Sequence, residues 1–196
     1  MAETSTAPEA TADAPAEAKP DAKPQRKRIS RRKAVEQKLR AYFDDIARRD
    51  SAAAAAHWSE NGVDDIGPVG VLRGPAEIRA FFDSLFAAVP DLTTTVTRLV
   101  PGERDGAVEW RMEGTFTGAP YMGIEPTGKR VEIAGVDLFE LEDDKLASCA
   151  GYFDGASFAR QIGMLPADGS GADRAMKGAF NAVTKVRRAV AERRGV

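Results

Sequence analysis

The apolar residues of this chain change period once, at Pro90, and that change limits what it can fold into more than any single motif does. Before Pro90, Val35, Leu39, Tyr42, Phe43 and Ile46 recur at the three-to-four spacing of a helix with one buried stripe. Asp50 and Ser51 can cap a short second helix. Gly74-Pro75 puts proline at the start of a third, whose buried face is Ile78, Phe81, Phe82, Leu85 and Phe86. After Pro90 the alternation is two. Residues 92–100, 107–117, 130–141 and 145–153 read as four long strands joined by turn-forming stretches, with short strands near 63–66 and 69–72 ahead of the third helix. Helices followed by a meander predict an α+β fold: a cone-shaped, curved antiparallel sheet wrapped around helices and closed over a pocket.

The ends are of another character. Residues 1–33 carry eight basic and five acidic side chains, 171–196 carry seven and two, and 34–170 carry thirteen and twenty-three. The net charge of -2 therefore hides an acidic domain between basic arms, which argues against specific nucleic-acid binding by the folded surface. Residues 1–33 are expected to be a disordered Ala/Pro-rich tail ending in the basic run Arg26 to Lys33, and 34–167 to form the domain. Residues 168–196 are expected to be a Gly/Ser spacer and a basic amphipathic helix that docks on the domain or on a dimer mate, with membrane-surface binding as the competing reading. Cys149 is the single cysteine and His57 the single histidine, so neither a disulfide nor a Cys/His metal site is available, and no phosphate loop is present. No cofactor is expected. With no leader and no apolar run of spanning length, a cytoplasmic protein without a transmembrane segment is expected.

Period-two counting puts Asp137 on one strand face with Val131, Ile133, Phe139 and Leu141, where an unpaired carboxyl is costly and its pKa should rise. It either meets a ligand or orients the core. Cys149 and Gly151 share a face with Phe153, and their small side chains leave space there. Phe82, Phe86, Met122, Cys149 and Phe153 are candidate ligand-binding residues of an apolar cavity, with Trp110 a further candidate that packing explains better. The apolar stretch 119–124, on an otherwise polar connection, has the composition of a mouth or lid. His57 reads as a cap or surface residue beside Trp58.

Four segments, HWSENGV, LRGPAEIRAFFDSLFAAVPDL, GTFTGAPYMGIEPTGKRVEIAGVDLFEL and YFDGASFARQIGMLP, together resemble the SnoaL-like polyketide cyclase family. That family lies within the nuclear-transport-factor-2-like superfamily, whose ketosteroid-isomerase-like cone the resemblance implies. Related cyclases and epoxide hydrolases place a catalytic aspartate where this chain has Gly151, so the resemblance does not support their acid chemistry here. Comparison with ketosteroid isomerases implies Tyr42 and Asp137 as donors to a substrate oxygen. The matching base falls near Ile66 or Gly67, with Asp64 and Asp65 just upstream, and Asp65 is the weak candidate.

The function expected is binding of a small, largely apolar, oxygenated molecule in the cone cavity, with isomerase- or cyclase-type proton transfer. The rival is a non-catalytic, homodimeric binding or assembly module whose basic arms recruit an acidic partner. Whether Asp137 lines an open cavity or is sealed in a satisfied core separates the two.

Overall fold

The computed structural model describes residues 22–194; of the tail expected over 1–33, residues 1–21 lie outside them. Helix α1 (Ala22–Ala47) buries the expected stripe of Val35, Leu39, Tyr42, Phe43 and Ile46. It starts earlier than expected, so the basic run Arg26 to Lys33 is helical, and residues 25–34 are all exposed. Arg49, in the left-handed region, turns the chain, and Asp50 accepts from Ala53 N to open α2 (Ser51–Ala56). Strands β1 (Trp58–Ile66) and β2 (Gly70–Arg73) lead into α3 (Gly74–Ala88), with Pro75 in its first turn. The meander follows as β3 (Thr93–Pro101), β4 (Asp105–Thr115), β5 (Arg130–Glu142) and β6 (Lys145–Phe153). Strand β1 begins at Trp58, earlier than the alternation suggests, because its pairing with β6 shifts register between Trp58 and Val63 and breaks the period there.

The expected cone is not what forms. The six strands run in the order β2-β1-β6-β5-β4-β3, so the sheet is open, with β2 and β3 at its edges, and it is not strongly curled. Nor is it purely antiparallel, because β1 runs parallel to β6. The physical reason lies in the helices. Tyr42, Phe43 and Ile46 from α1, Phe81, Phe82 and Leu85 from α3, and Phe158 and Ala159 from α4 (Gly155–Ile162) wall the space over one sheet face. With helices supplying the walls, the sheet has no need to close.

Asp154 caps α4 by accepting from Ser157 N, and Gly163, at φ 85°, ends it in the left-handed conformation that favours glycine. Beyond it, α5 (Gly171–Arg194) buries Asp173, and every residue from Arg174 to Arg193 is exposed.

Candidate functional site

A cavity of about 300 Å³ lies between the inner sheet face and helices α1, α3 and α4. Its lining is overwhelmingly apolar, and no Lys, Arg or His is among the described residues that form it. Two carboxyls face it, Asp64 from β1 and Asp137 from β5. Exposed Met122 and Met164 stand at its rim, on the 116–129 connection and just after α4.

Strand register explains how the acids meet. Gly151 of β6 pairs with Ile66 on one side and Asp137 on the other, and Asp64 pairs with Cys149 two residues along, on the same face. A Cβ on Gly151 would lie 3.1 Å from Asp137 Oδ1. The Asp137 carboxyl therefore leans over the gap that the glycine leaves, toward β1 and Asp64.

Trp110 is placed by another glycine. It pairs with Gly135 across β4 and β5, and a Cβ on Gly135 would come within 2.4 Å of the indole. The ring thus lies across β5 toward Phe153, at 6.4 Å between centroids. Its Nε1 is buried with no hydrogen-bond partner, as are Trp58 Nε1 and Asp64 Oδ1.

These surroundings move the proton affinities. Burial pushes the Asp137 carboxyl up to about 7, with the Trp110 indole acting in the opposite direction. Asp64 also rises to about 7, first through burial and then through the negative charge of Asp137, while the Cys149 thiol beside it acts the other way. The Tyr42 hydroxyl is held well above its usual range by burial and then by Asp64, Cys149 and Asp137, so it stays a neutral donor. Its ring sits edge-on to Phe43, His57, Trp58, Phe82 and Phe139.

Of the residues singled out in the sequence, Asp137, Tyr42, Trp110, Phe82, Met122 and Phe153 line the cavity together. Three do not. Asp65 is exposed on the outer face, and Asp64 takes the inward place, because adjacent strand residues point to opposite sides. Phe86 lies one helical turn beyond Phe82, stacked on it at 5.6 Å and under the Arg49 guanidinium, outside the cavity. Cys149 faces inward, but in the row with Asp64 and Phe139, where side chains from α1 and β1 already fill the space. Sequence reasoning missed Asp64 as a cavity residue and Gly135 as the seat of Trp110; a glycine two residues before an inward aspartate was the available signal for the second.

Among the described residues no group of three His, Cys, Asp or Glu side chains could hold a metal ion, and no helix is long and apolar enough to cross a membrane. No curated protein matches the chain. Among solved structures, TsrD from Streptomyces laurentii is 23% identical with a TM-score of 0.61, covering 68% of this chain and 98% of its own. AclR from Streptomyces galilaeus is 20% identical with a TM-score of 0.62, covering 83% and 97%. A protein described as a SnoaL-like polyketide cyclase from Jannaschia sp. CCS1 is 20% identical with a TM-score of 0.62, covering 69% and 95%. These likenesses establish a shared fold. The family model for SnoaL-like polyketide cyclases matches residues 36–162, the span that builds the sheet, the three cavity helices and both acids, and the chain belongs to that family.

Proposed function

We propose that this protein binds a small, neutral, largely apolar molecule bearing oxygen and moves a proton on it in an isomerase- or cyclase-type step. The observation that carries this reading is the pair of carboxyls, both raised to about 7, in an apolar cavity with no cation among the residues lining it. Near neutral pH such a pair holds about one proton between its members, because two adjacent charges repel in a poorly solvated space. The charged member accepts a proton from a carbon next to a carbonyl. The protonated member, with the Tyr42 hydroxyl, donates to the oxygen on which charge develops. The ring of apolar residues excludes water from that exchange.

The same features select the ligand. A carboxylate or phosphate ester would meet two acids and no counter-charge, so anionic ligands are disfavoured. The cavity sits at the small end of the range for small-molecule sites. The rival reading as a non-catalytic assembly module requires Asp137 to be sealed and satisfied; its position on the cavity wall supports the ligand reading instead.

A thermal-shift panel tests this, pairing neutral cyclic ketones with carboxylates of the same skeleton. Neutral members are expected to raise Tm and their carboxylates to leave it unchanged at pH 8. Asp137→Asn should fold as the parent does while its ketone binding changes. Equal stabilisation by the carboxylates, or unaltered ketone binding by the variant, would sink the proposal.

A further inference from the structure

Helix α5 does not take the expected seat on its own domain. Only its first turn is tied down: the buried Asp173 carboxylate accepts from Gly169 N and from Lys177 Nζ, Asp173 N donates to Ser170 Oγ, and Arg174 donates to Gly169 O. From Arg174 to Arg193 every residue is exposed, Gly178 and the alanines included, so nothing among the described residues packs on any side of the helix. A helix of this kind is marginal in water, because most helical stability in proteins comes from packing an apolar face. One such face exists. Met176, Phe180, Val183 and Val190 follow one another at four, three and seven residues, with Val186 beside them, and all five are 42–70% exposed.

From this helix we infer that α5 lies along the surface of an anionic phospholipid bilayer, with its apolar stripe among the acyl chains and its cations toward the headgroups. Charge selects the lipid. Past the anchored first turn, residues 178–194 carry five basic side chains and one acidic one, Glu192, and Lys185 and Arg188 stand on the side of the helix away from the stripe. Arg187 decides between a bilayer and a protein groove. It falls within the stripe, one turn after Val183 and one before Val190. In a groove its guanidinium would be shut in among apolar side chains and would need a buried acid. At a bilayer surface its stem stays in the apolar layer while the charged head reaches back to the phosphates. Two α5 helices packed stripe to stripe would bring their Arg187 charges together, and a nucleic acid would meet the cations but leave the stripe in water. No helix among the described residues is long and apolar enough to cross a membrane, so α5 lies on the surface, over a length of about 36 Å for its 24 residues. The domain carries ten more acidic than basic residues over 34–170, but its field is screened over about 10 Å, and the helix is several times that long.

Cosedimentation of the full chain with vesicles tests the inference, with circular dichroism to verify folding. Vesicles of phosphatidylcholine with phosphatidylglycerol are expected to carry the parent down, phosphatidylcholine alone to leave it in solution, and rising salt to release it. Phe180→Asp alters an exposed side chain on a helix that the domain does not cover, so the domain should fold as before, and partition into the anionic vesicles should fall at least about tenfold. Lys185→Glu combined with Arg188→Glu should lower it by a similar factor. A parent that stays in solution with the anionic vesicles overturns the inference, whether or not it is then retained on immobilised RNA. So does one that binds phosphatidylcholine alone equally well. A Phe180→Asp variant that binds as the parent does also overturns it, since charge alone, as in the run Arg26 to Lys33, would then hold the protein to the lipid.

Discussion

Tyr42 stands between two groups of buried acid that the protein treats in opposite ways. On one side is Asp45, three residues further along α1 and 7% exposed. His57 Nε2 lies 2.7 Å from its Oδ2, Arg48 reaches its other oxygen, and the His57 ring is edge-on to Tyr42. On the other side are Asp64 and Asp137, which have each other, a thiol and an unpartnered indole, but no cation at the cavity wall. A carboxylate surrounded by donors holds the junction of α1, α2 and β1 together. A carboxyl left without them destabilises the fold it sits in, and that expense is expected where a protein works on a ligand.

The comparison is broken most directly through pH. A raised carboxyl favours folding while both states are protonated, below the unfolded value near 3.8, and this contribution disappears as pH climbs through the folded value. The parent should therefore lose thermal stability between about pH 4 and pH 7. Asp64→Asn and Asp137→Asn should each flatten that slope and be more stable than the parent at pH 8, as calorimetry across the range would show. A parent whose Tm is level over this window would place both acids in water. Asp45→Asn has the reverse sign. It withdraws a charged acceptor from His57 and should cost about 1–3 kcal/mol at neutral pH in a denaturant titration, with no change in ketone binding. If it alters binding and spares stability, the division between the two groups fails.

How much of this was legible in the sequence depends on whether local pattern or distant packing decides each feature. The stripe Val35, Leu39, Tyr42, Phe43, Ile46 and the inward set around Asp137 obey simple periods, so their faces could be counted. The Asp154 cap is equally local, its partner Ser157 N being three residues away. The first strand was harder: the family's base position falls at Ile66 or Gly67, a one-residue offset exchanges the two strand faces, and the choice of Asp65 missed Asp64, which faces the cavity. The open sheet was not legible, because strand order does not say whether a sheet or its helices will wall a cavity. His57 could be placed at the end of α2, but Asp45 as its partner lies on a different helix and leaves no local trace.

The finest probe of the contrast is Gly151, the position at which related cyclases carry an acid. Its missing side chain gives Asp137 room, since a Cβ there would stand 3.1 Å from Oδ1 and only 3.7 Å from Ile66 Cα. That spacing is tight without being a collision, and a carboxyl can swing by the few tenths of an ångström required. Gly151→Ala should therefore fold, with a stability change within about 1 kcal/mol, because added β propensity and slight crowding oppose each other. What should move is the titration. Displaced from the gap toward the cavity, the Asp137 carboxyl gains separation from Asp64 or gains solvent, and either change lowers its pKa. Carbon-13 nuclear magnetic resonance of the aspartate carboxyls can follow this in parent and variant, with Asp137→Asn assigning the signal. A downward shift in the variant fits a carboxyl that rests in the glycine's gap; an unchanged titration means the gap plays no part in holding the acid neutral, and leaves burial under Trp110 and α1 as the cause.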